Sequence, residues 1–245
     1  MSPASEKEAS RSGATSTPCL VCGGESDYHT SIPFLKSCEG DGEGDPVAYF
    51  LCADCGFCHA PFICDKPPEW FRENIYNADY KLFDPEYGGV RAQRQAQNMT
   101  YSYSWARRDI RHLDFGGGDG LMAERTRKKG FDSTSYDPFT SDEKPTGTFN
   151  LITCFEVFEH VPGPNELMRQ LTEYLAPEGL ILASTNLSDG QDISRWWYAA
   201  PRNGHISLFS RKSLAILAEK HGLNSLIDVN GGHYFYRELP YWAVG

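Results

Sequence analysis

The chain has 245 residues, with 23 Lys+Arg against 33 Asp+Glu and a net charge of −10. That length accommodates one full α/β domain and a small appendage, and the acidic balance argues against nucleic acid as a partner, since binding there rests on neutralised phosphates. No apolar run approaches membrane-spanning length and no secretory h-region follows the N-terminus, so neither a membrane association nor export is expected. A cytoplasmic, reducing setting is expected for the eight cysteines.

Residues 1–18, rich in Ser, Ala, Thr, Glu and Lys without periodicity, read as a disordered tail. Cys19-Leu-Val-Cys22-Gly and Cys52-Ala-Asp-Cys55-Gly come next, two knuckles separated by a long insertion. The spacing lets both thiolates of each knuckle reach one tetrahedral zinc, and the glycine permits the tight turn. Cys19, Cys22, Cys52 and Cys55 therefore predict a closed, structural Zn2+ site within a zinc-ribbon-like module over 19–66. Unrelated thiols are the alternative reading, and Cys58 or His59 could replace one ligand. The intervening Glu39–Asp45 reads as a flexible acidic loop, while Cys38 and Cys154 look like ordinary cysteines.

Residues 67–108 form a connector. Its aromatic part carries Trp70, Phe71, Tyr76, Tyr80, Phe83 and Tyr87, expected to pack between the zinc module and the main domain. Val90–Arg108 lacks Pro and Gly and predicts a helix, on which Tyr101 and Tyr103 cannot share a face. At most one of them faces a ligand.

Ile110–Gly120 is the most informative stretch. A short apolar run ends in Asp114, breaks into Gly116, Gly117, Gly118 and Gly120, and continues into a helical pattern from Leu121 to Lys129. Strand, glycine turn and helix start in that order place a nucleoside-type cofactor on the first strand of a doubly wound sheet. The dinucleotide fingerprint G-x-G-x-x-G is not met, because position 121 is Leu, which makes an NAD-linked oxidoreductase a poor reading. A carboxylate at 114 would repel a pyrophosphate and suits an ammonium or sulfonium group. Asp114-Phe-Gly-Gly-Gly-Asp-Gly120 resembles motif I of class I S-adenosylmethionine (SAM)-dependent methyltransferases.

The downstream chain keeps the same order. Phe131–Tyr136 predicts a second strand ending at Asp137, where a ribose would find a carboxylate. Only about a dozen residues separate Asp137 from the strand at Asn150–Phe155, where the fold of that family usually places a helix and a third strand. Six strands rather than seven are thus possible, and no adenine-binding residue is assigned. Glu156-Val-Phe-Glu-His160 is similar to the motif after the fourth strand of small-molecule methyltransferases, which implies that Cys154, Phe155 and Glu156 border the cofactor. His160 is a candidate general base or a backbone cap. Asn165–Ala176 predicts a helix, and Leu175-Ala-Pro-Glu-Gly-Leu-Ile-Leu182 resembles the turn before the fifth strand, Leu180–Ser184. Ser188–Ser207 concentrates Arg195, Trp196, Trp197, Tyr198 and His205 on a loop and reads as a substrate lid, with His205 the rival base. Ser210 starts a helix through Lys220, and Asn230-Gly-Gly232 joins two closing strands as a hairpin.

The resemblance spans about Arg108–Leu239. It implies an α/β fold over 109–245: a doubly wound, mostly parallel, Rossmann-like methyltransferase sheet of six or seven strands with an antiparallel terminal hairpin. By the same resemblance Asp114, Phe115, Gly116, Gly117, Gly118 and Gly120 hold the amino-acid end of SAM, and Asp137 its ribose. Zinc-knuckle fusions are similar, more loosely, to bacterial methyltransferases of sugars, polysaccharides and natural products. The C-methylating sugar enzymes among them carry a further C-terminal domain not seen here, so methyl transfer to a hydroxyl of a small molecule or glycan is expected. An inactive, methyltransferase-like binding protein is the reading from another class.

Overall fold

The computed structural model describes residues 15–87 and 89–243. Most of the predicted tail lies outside them, but its end is ordered: Ser16–Pro18 forms a strand. In chain order the strands are β1 (Ser16–Pro18), β2 (Glu25–Pro33), β3 (Pro46–Cys52), β4 (Cys58–His59), β5 (Arg111–Phe115), β6 (Asp132–Tyr136), β7 (Phe149–Phe155), β8 (Leu175–Ser184), β9 (Ser207–Leu208), β10 (Asn224–Ile227) and β11 (Gly232–Tyr236). They form two sheets in two compact units. One unit comprises the residues up to Pro85 with Glu159–Asn165 and Asn186–Leu217; the other comprises Glu86–Phe158, Glu166–Thr185 and the chain from Ala218. The partition is interleaved, where the sequence reading divided the chain into consecutive segments.

The larger sheet has the order β10-β11-β8-β7-β5-β6. The pairs β6–β5, β5–β7 and β7–β8 are parallel, and β11 pairs antiparallel with both β8 and β10. Six strands are present because Pro138–Thr148 contains neither helix nor strand, which leaves β6 as an edge. β5 is short and almost wholly buried from His112 to Phe115, as expected for a strand covered on both faces. Val90–Tyr103 is helical and continues into a 3-10 turn at Ser104–Ala106. It packs Ala96, Met99 and Tyr103 into a core with Ile110, Met122, Phe131, Leu151, Leu180 and Trp242. Tyr103 meets Trp242 edge-on, while Tyr101 is 90% exposed; the former is core and the latter faces solvent.

Two boundaries differ from the sequence reading. The helix Pro164–Tyr174 runs directly into β8, which starts at Leu175 rather than Leu180. Register jumps from Phe149↔Leu175 to Leu151↔Leu180, so the Pro-Glu-Gly turn is a bulge inside the strand. Only glycine fits there, because a Cβ at Gly179 would stand 2.7 Å from Leu175 Cδ1 and 2.9 Å from the Ala176 carbonyl. At the other end the predicted hairpin forms, with Ile227 opposite His233 and the Asp228 carboxylate accepting the Asn230 N–H at 2.8 Å.

The second sheet, β1-β2-β3-β4-β9, belongs to the first unit. Its acidic connection is hydrogen-bonded rather than a featureless loop: Phe34 N–H donates to Asp45 O and Leu35 N–H to Glu43 O. Phe71, Ile75 and Tyr80, from the short helices Pro68–Asn74 and Tyr80–Phe83 and the chain between, pack with Tyr49, Ile193, Trp196, Tyr198 and Ile206. The aromatic connector is therefore core of this unit. So is the stretch expected to be a lid. Ile193, Trp196, Tyr198, Ala199 and Ala200 are buried, and Ser207–Leu208 pairs with β4. Two of the aromatics on which the lid reading relied, Trp196 and Tyr198, are thus spent on a core, whose burial of apolar surface is favourable.

Ser210 precedes the helix Arg211–Lys220. Ser213 N–H donates to Ser210 Oγ at 3.0 Å and Ser210 N–H to Ser213 Oγ at 2.9 Å, a reciprocal cap. Ser210 Oγ also donates to the Cys55 carbonyl at 2.5 Å. Ser210→Ala removes both bonds; a loss of about 1 kcal/mol and a melting point lower by about 2–4 °C are expected by differential scanning calorimetry.

Candidate functional site

At the carboxyl end of β5 the chain turns through glycines. Gly116, Gly118 and Gly120 adopt φ of +74°, +54° and +76°. A Cβ at Gly116 would lie 2.4 Å from Val157 Cγ2, and one at Gly117 would lie 2.5 Å from both Asp114 Oδ2 and Ser135 Oγ. The turn thus lays bare backbone against the Asp114 carboxylate, and the helix Leu121–Arg127 starts from it. Phe115 turns its ring away to pack on Tyr136 and Tyr174, so only its backbone serves the turn.

Asp114 is 4% exposed. Its Oδ1 accepts the Thr153 hydroxyl at 3.0 Å, while Oδ2 is buried without a hydrogen-bond partner. Burial, weakly opposed by that one bond and reinforced by the nearby Asp137 and Asp119, pushes the carboxyl up to about 7. A buried carboxylate oxygen without a donor is costly unless a ligand supplies one, and a cation with N–H groups would restore the ionised form. These residues fit the amino-acid end of SAM.

Asp137 closes the turn from β6. Its Oδ2 accepts Gly118 N–H at 3.0 Å and its Oδ1 accepts Phe139 N–H at 2.8 Å. At the end of β7, Glu156 has φ +54°, the one positive-φ residue other than glycine among the described residues. Its N–H is shared between Ser184 O and Ser184 Oγ, and Ser184 Oγ donates back to Glu156 Oε1 at 2.7 Å. A side chain held in the left-handed region by its surroundings is a common mark of a functional position. Cys154 is fully buried in the strand and Phe155 half-buried.

A buried polar series behind Asp114 escaped the sequence. His112 is completely buried, bonded to Thr153 Oγ1 at 2.9 Å through Nε2 and to Ser133 Oγ at 3.0 Å through Nδ1. Thr126 continues the series to Ser133 at 2.9 Å. Only the alternation of polar residues on apolar strands could have pointed to it.

In the first unit the four predicted cysteines converge. Cys19 and Cys55 Sγ lie 3.6 Å apart and Cys22 and Cys52 Sγ 3.5 Å apart, and all four fall within 4.8 Å of one another. Tetrahedral zinc with bonds of about 2.3 Å needs sulfurs about 3.8 Å apart, so the residues fit the ion. The knuckles are built alike. Cys19 and Cys52 N–H donate to Gly24 O and Phe57 O, and Gly23 and Gly56 N–H to the carbonyls of Cys19 and Cys52. Gly23 and Gly56 take φ of +83° and +74°. Cys58 and His59 stand outside the cluster in β4, where burial pushes the Cys58 thiol up to about 12 and His59 down to about 4.

Glu159, His160 and His205 form a second group in the same unit, their ligand atoms also within 4.8 Å of one another. Tyr198 OH donates to Glu159 Oε1 at 2.6 Å, and His205 Nδ1 lies 2.8 Å from the Tyr198 carbonyl. That carbonyl can only accept, so Nδ1 carries a proton. The His160 and His205 rings meet edge to face at 4.8 Å, bringing the two candidate bases together.

The profile of the methyltransferase domain family matches residues 87–227, and the chain belongs to that family. Two relatives are named ubiquinone biosynthesis O-methyltransferases. One, from Colwellia psychrerythraea, is 27% identical over 161 residues, covering 51% of this chain and 65% of its own. The other, the mitochondrial protein of Saccharomyces cerevisiae, is 29% identical over 204 residues, covering 66% and 64%. The chain thus spans a little under two thirds of these relatives. The solved mitomycin 7-O-methyltransferase shares the fold at 14% identity and a TM-score of 0.51, covering 69% of this chain and 60% of its own. No helix among the described residues is long and apolar enough to cross a membrane.

Because the Asp114 carboxyl is raised by folding, the native state binds its proton more tightly than the unfolded chain, and the ligand-free protein loses stability as pH rises from about 4 to 7. Asp114→Asn lacks this group. Thermal melts without ligand should show the variant gaining on the wild type between pH 5 and 8, with a flat difference ruling out a buried, raised carboxyl.

Proposed function

We propose that the chain is a SAM-dependent methyltransferase that methylates a hydroxyl of a small molecule. The observation that carries this is the buried Asp114 oxygen left open beside a turn in which Cβ atoms do not fit. SAM, when bound, supplies a methyl group already activated on a positively charged sulfur. The protein's part is to hold and align it and to take one proton from the acceptor. Asp114 and the backbone of Phe115–Gly120 hold the ammonium end; Asp137, with lone pairs beyond those used by Gly118 and Phe139, holds the ribose hydroxyls. Glu156 lies at the end of β7, and the backbone of Cys154 and Phe155 lines the same strand end. His160 or His205 takes the proton. Tyr198 holds Glu159 through its hydroxyl and His205 through its carbonyl.

The relatives' names support a small-molecule acceptor over a sugar or polysaccharide, and nothing favours an inactive binding protein. Zn2+ at the four cysteines is structural on this reading: four thiolates leave no open position, and the two matching knuckles hold β1, β2 and β3 at one end. A cytoplasmic site of action remains the reading from composition.

Isothermal titration with SAM tests the assignment. Asp137→Ala should weaken binding about 100-fold or more while the protein stays folded, and wild-type affinity in that variant would refute the ribose role. Metal analysis should find about one zinc per chain, lost in Cys52→Ser. Chelation should lower the melting point without abolishing the far-ultraviolet spectrum of the larger sheet; a metal-free, equally stable wild type would refute the zinc site.

A further inference from the structure

The buried polar series behind Asp114 can be followed proton by proton. Thr153 Oγ1 donates its only proton to Asp114 Oδ1, so its 2.9 Å contact with His112 Nε2 requires Nε2–H to donate. A neutral imidazole then accepts at Nδ1, where the Ser133 hydroxyl donates. With that proton spent, Ser133 accepts from Thr126. Every donor points towards the carboxylate. The opposite polarity is equally complete. If Asp114 is protonated, its O–H donates to Thr153, Thr153 to Nε2, Nδ1–H to Ser133, and Ser133 to Thr126. Thr126 then turns its proton to the carbonyls of Met122 and Ala123, 3.1 and 3.0 Å away.

We propose that His112 is a positioning residue for the cofactor site: through Thr153 it forms a two-state relay that holds Asp114 as an anion in one polarity and turns over as a unit when Asp114 takes a proton. In the turnover the Nε2 proton passes to Thr153 as the Thr153 proton passes to Asp114, and the Ser133 proton passes to Nδ1 as the Thr126 proton passes to Ser133. Thr126 takes up the one proton gained from solvent, so the imidazole keeps a single N–H, now on Nδ1. His112 stays neutral throughout, since burial pushes it down to about 3. The other charges that face Asp114 are Asp119 and Asp137, and both favour its protonation. A cationic cofactor favours the anion, so binding should select the Nε2–H polarity. This function of the relay rests on the proposed binding of SAM; the existence of the relay does not.

Nitrogen-15 NMR of protein labelled in histidine distinguishes the tautomers. In the ligand-free protein, His112 should move from Nδ1–H at pH 5 to Nε2–H at pH 9, and saturating SAM at pH 6 should restore Nε2–H. Thr153→Val cuts the series with little change of shape. Its His112 tautomer should no longer follow pH, and its Kd for SAM at pH 7.5 should rise about 10- to 100-fold, the range of a charge-assisted hydrogen bond, while Thr153→Ser recovers most of the affinity. One unchanging tautomer in the wild type, or unaltered affinity in Thr153→Val, overturns the proposal. A wild type that binds no SAM but still shows the pH-driven tautomer change overturns the methyltransferase reading alone.

Discussion

A carboxylate buried at the tip of β5 sets the terms for the unit that holds the six-stranded sheet. Removing Asp114 from water is unfavourable, and the fold compensates on one side only, with a single hydroxyl from β7. The other oxygen faces a turn stripped of side chains, because Val157, Ser135 and Asp114 itself occupy the space that any Cβ would need. The glycines and the acid are thus one feature. On the proposed reading, a ligand meets the carboxylate at this turn, and the carboxylate selects a cation. Asp137 reaches back from the neighbouring strand to the Gly118 N–H, tying the shape of the turn to the residue proposed to meet the ribose.

The smaller sheet solves a different problem. β1 and β4 are three and two residues long, too short for independent stability. The two knuckles, with matching hydrogen bonds and left-handed glycines, brace the same end of this sheet, and Ser210 adds a bond to the Cys55 carbonyl. Aromatics from the connector and from residues 186–217 complete a core that residues 19–66 alone do not supply. Tyr49 OH donates to the His205 carbonyl at 2.7 Å and Tyr198 OH to Glu159, so the core of the unit also carries the group of Glu159, His160 and His205.

How much of the molecule was legible in its sequence depends on the range of the interactions concerned. Knuckles, the glycine turn, Asp137, the hairpin at Asn230-Gly-Gly232 and the missing third strand are written in consecutive residues, and local sterics enforce them. Thr153 and His112 were not legible, because their meaning depends on register: Asp114 stands opposite Thr153 and His112 opposite Ser133, pairings between strands about 20 to 40 residues apart. The strained backbone of Glu156 is imposed by Ser184 from another strand. Loop-like composition likewise concealed the burial of Trp196 and Tyr198, since a run interrupted by Gly, Asp and Pro shows no period even when tertiary contacts bury it.

The short crossover explains why the edge of the larger sheet differs from its centre. A parallel connection needs about a dozen residues, and the segment from Asp137 to Thr148 has little to spare. Arg111 holds it: the guanidinium donates to the Thr146 and Thr148 carbonyls at 2.9 and 2.8 Å and lies 4.4 Å from the centre of the Phe149 ring. Gly147 beneath it takes φ of +76°, a conformation that favours glycine. With no third strand to cover it, β6 is an edge, and its sequence Asp-Ser-Thr-Ser-Tyr is polar where β7 is apolar, as an exposed edge demands. That polarity serves its inner side, where Ser133 bonds His112 and Ser135 fills the space beside Gly117, so the edge strand meets the polar series of the strand beside it without presenting an apolar face to solvent.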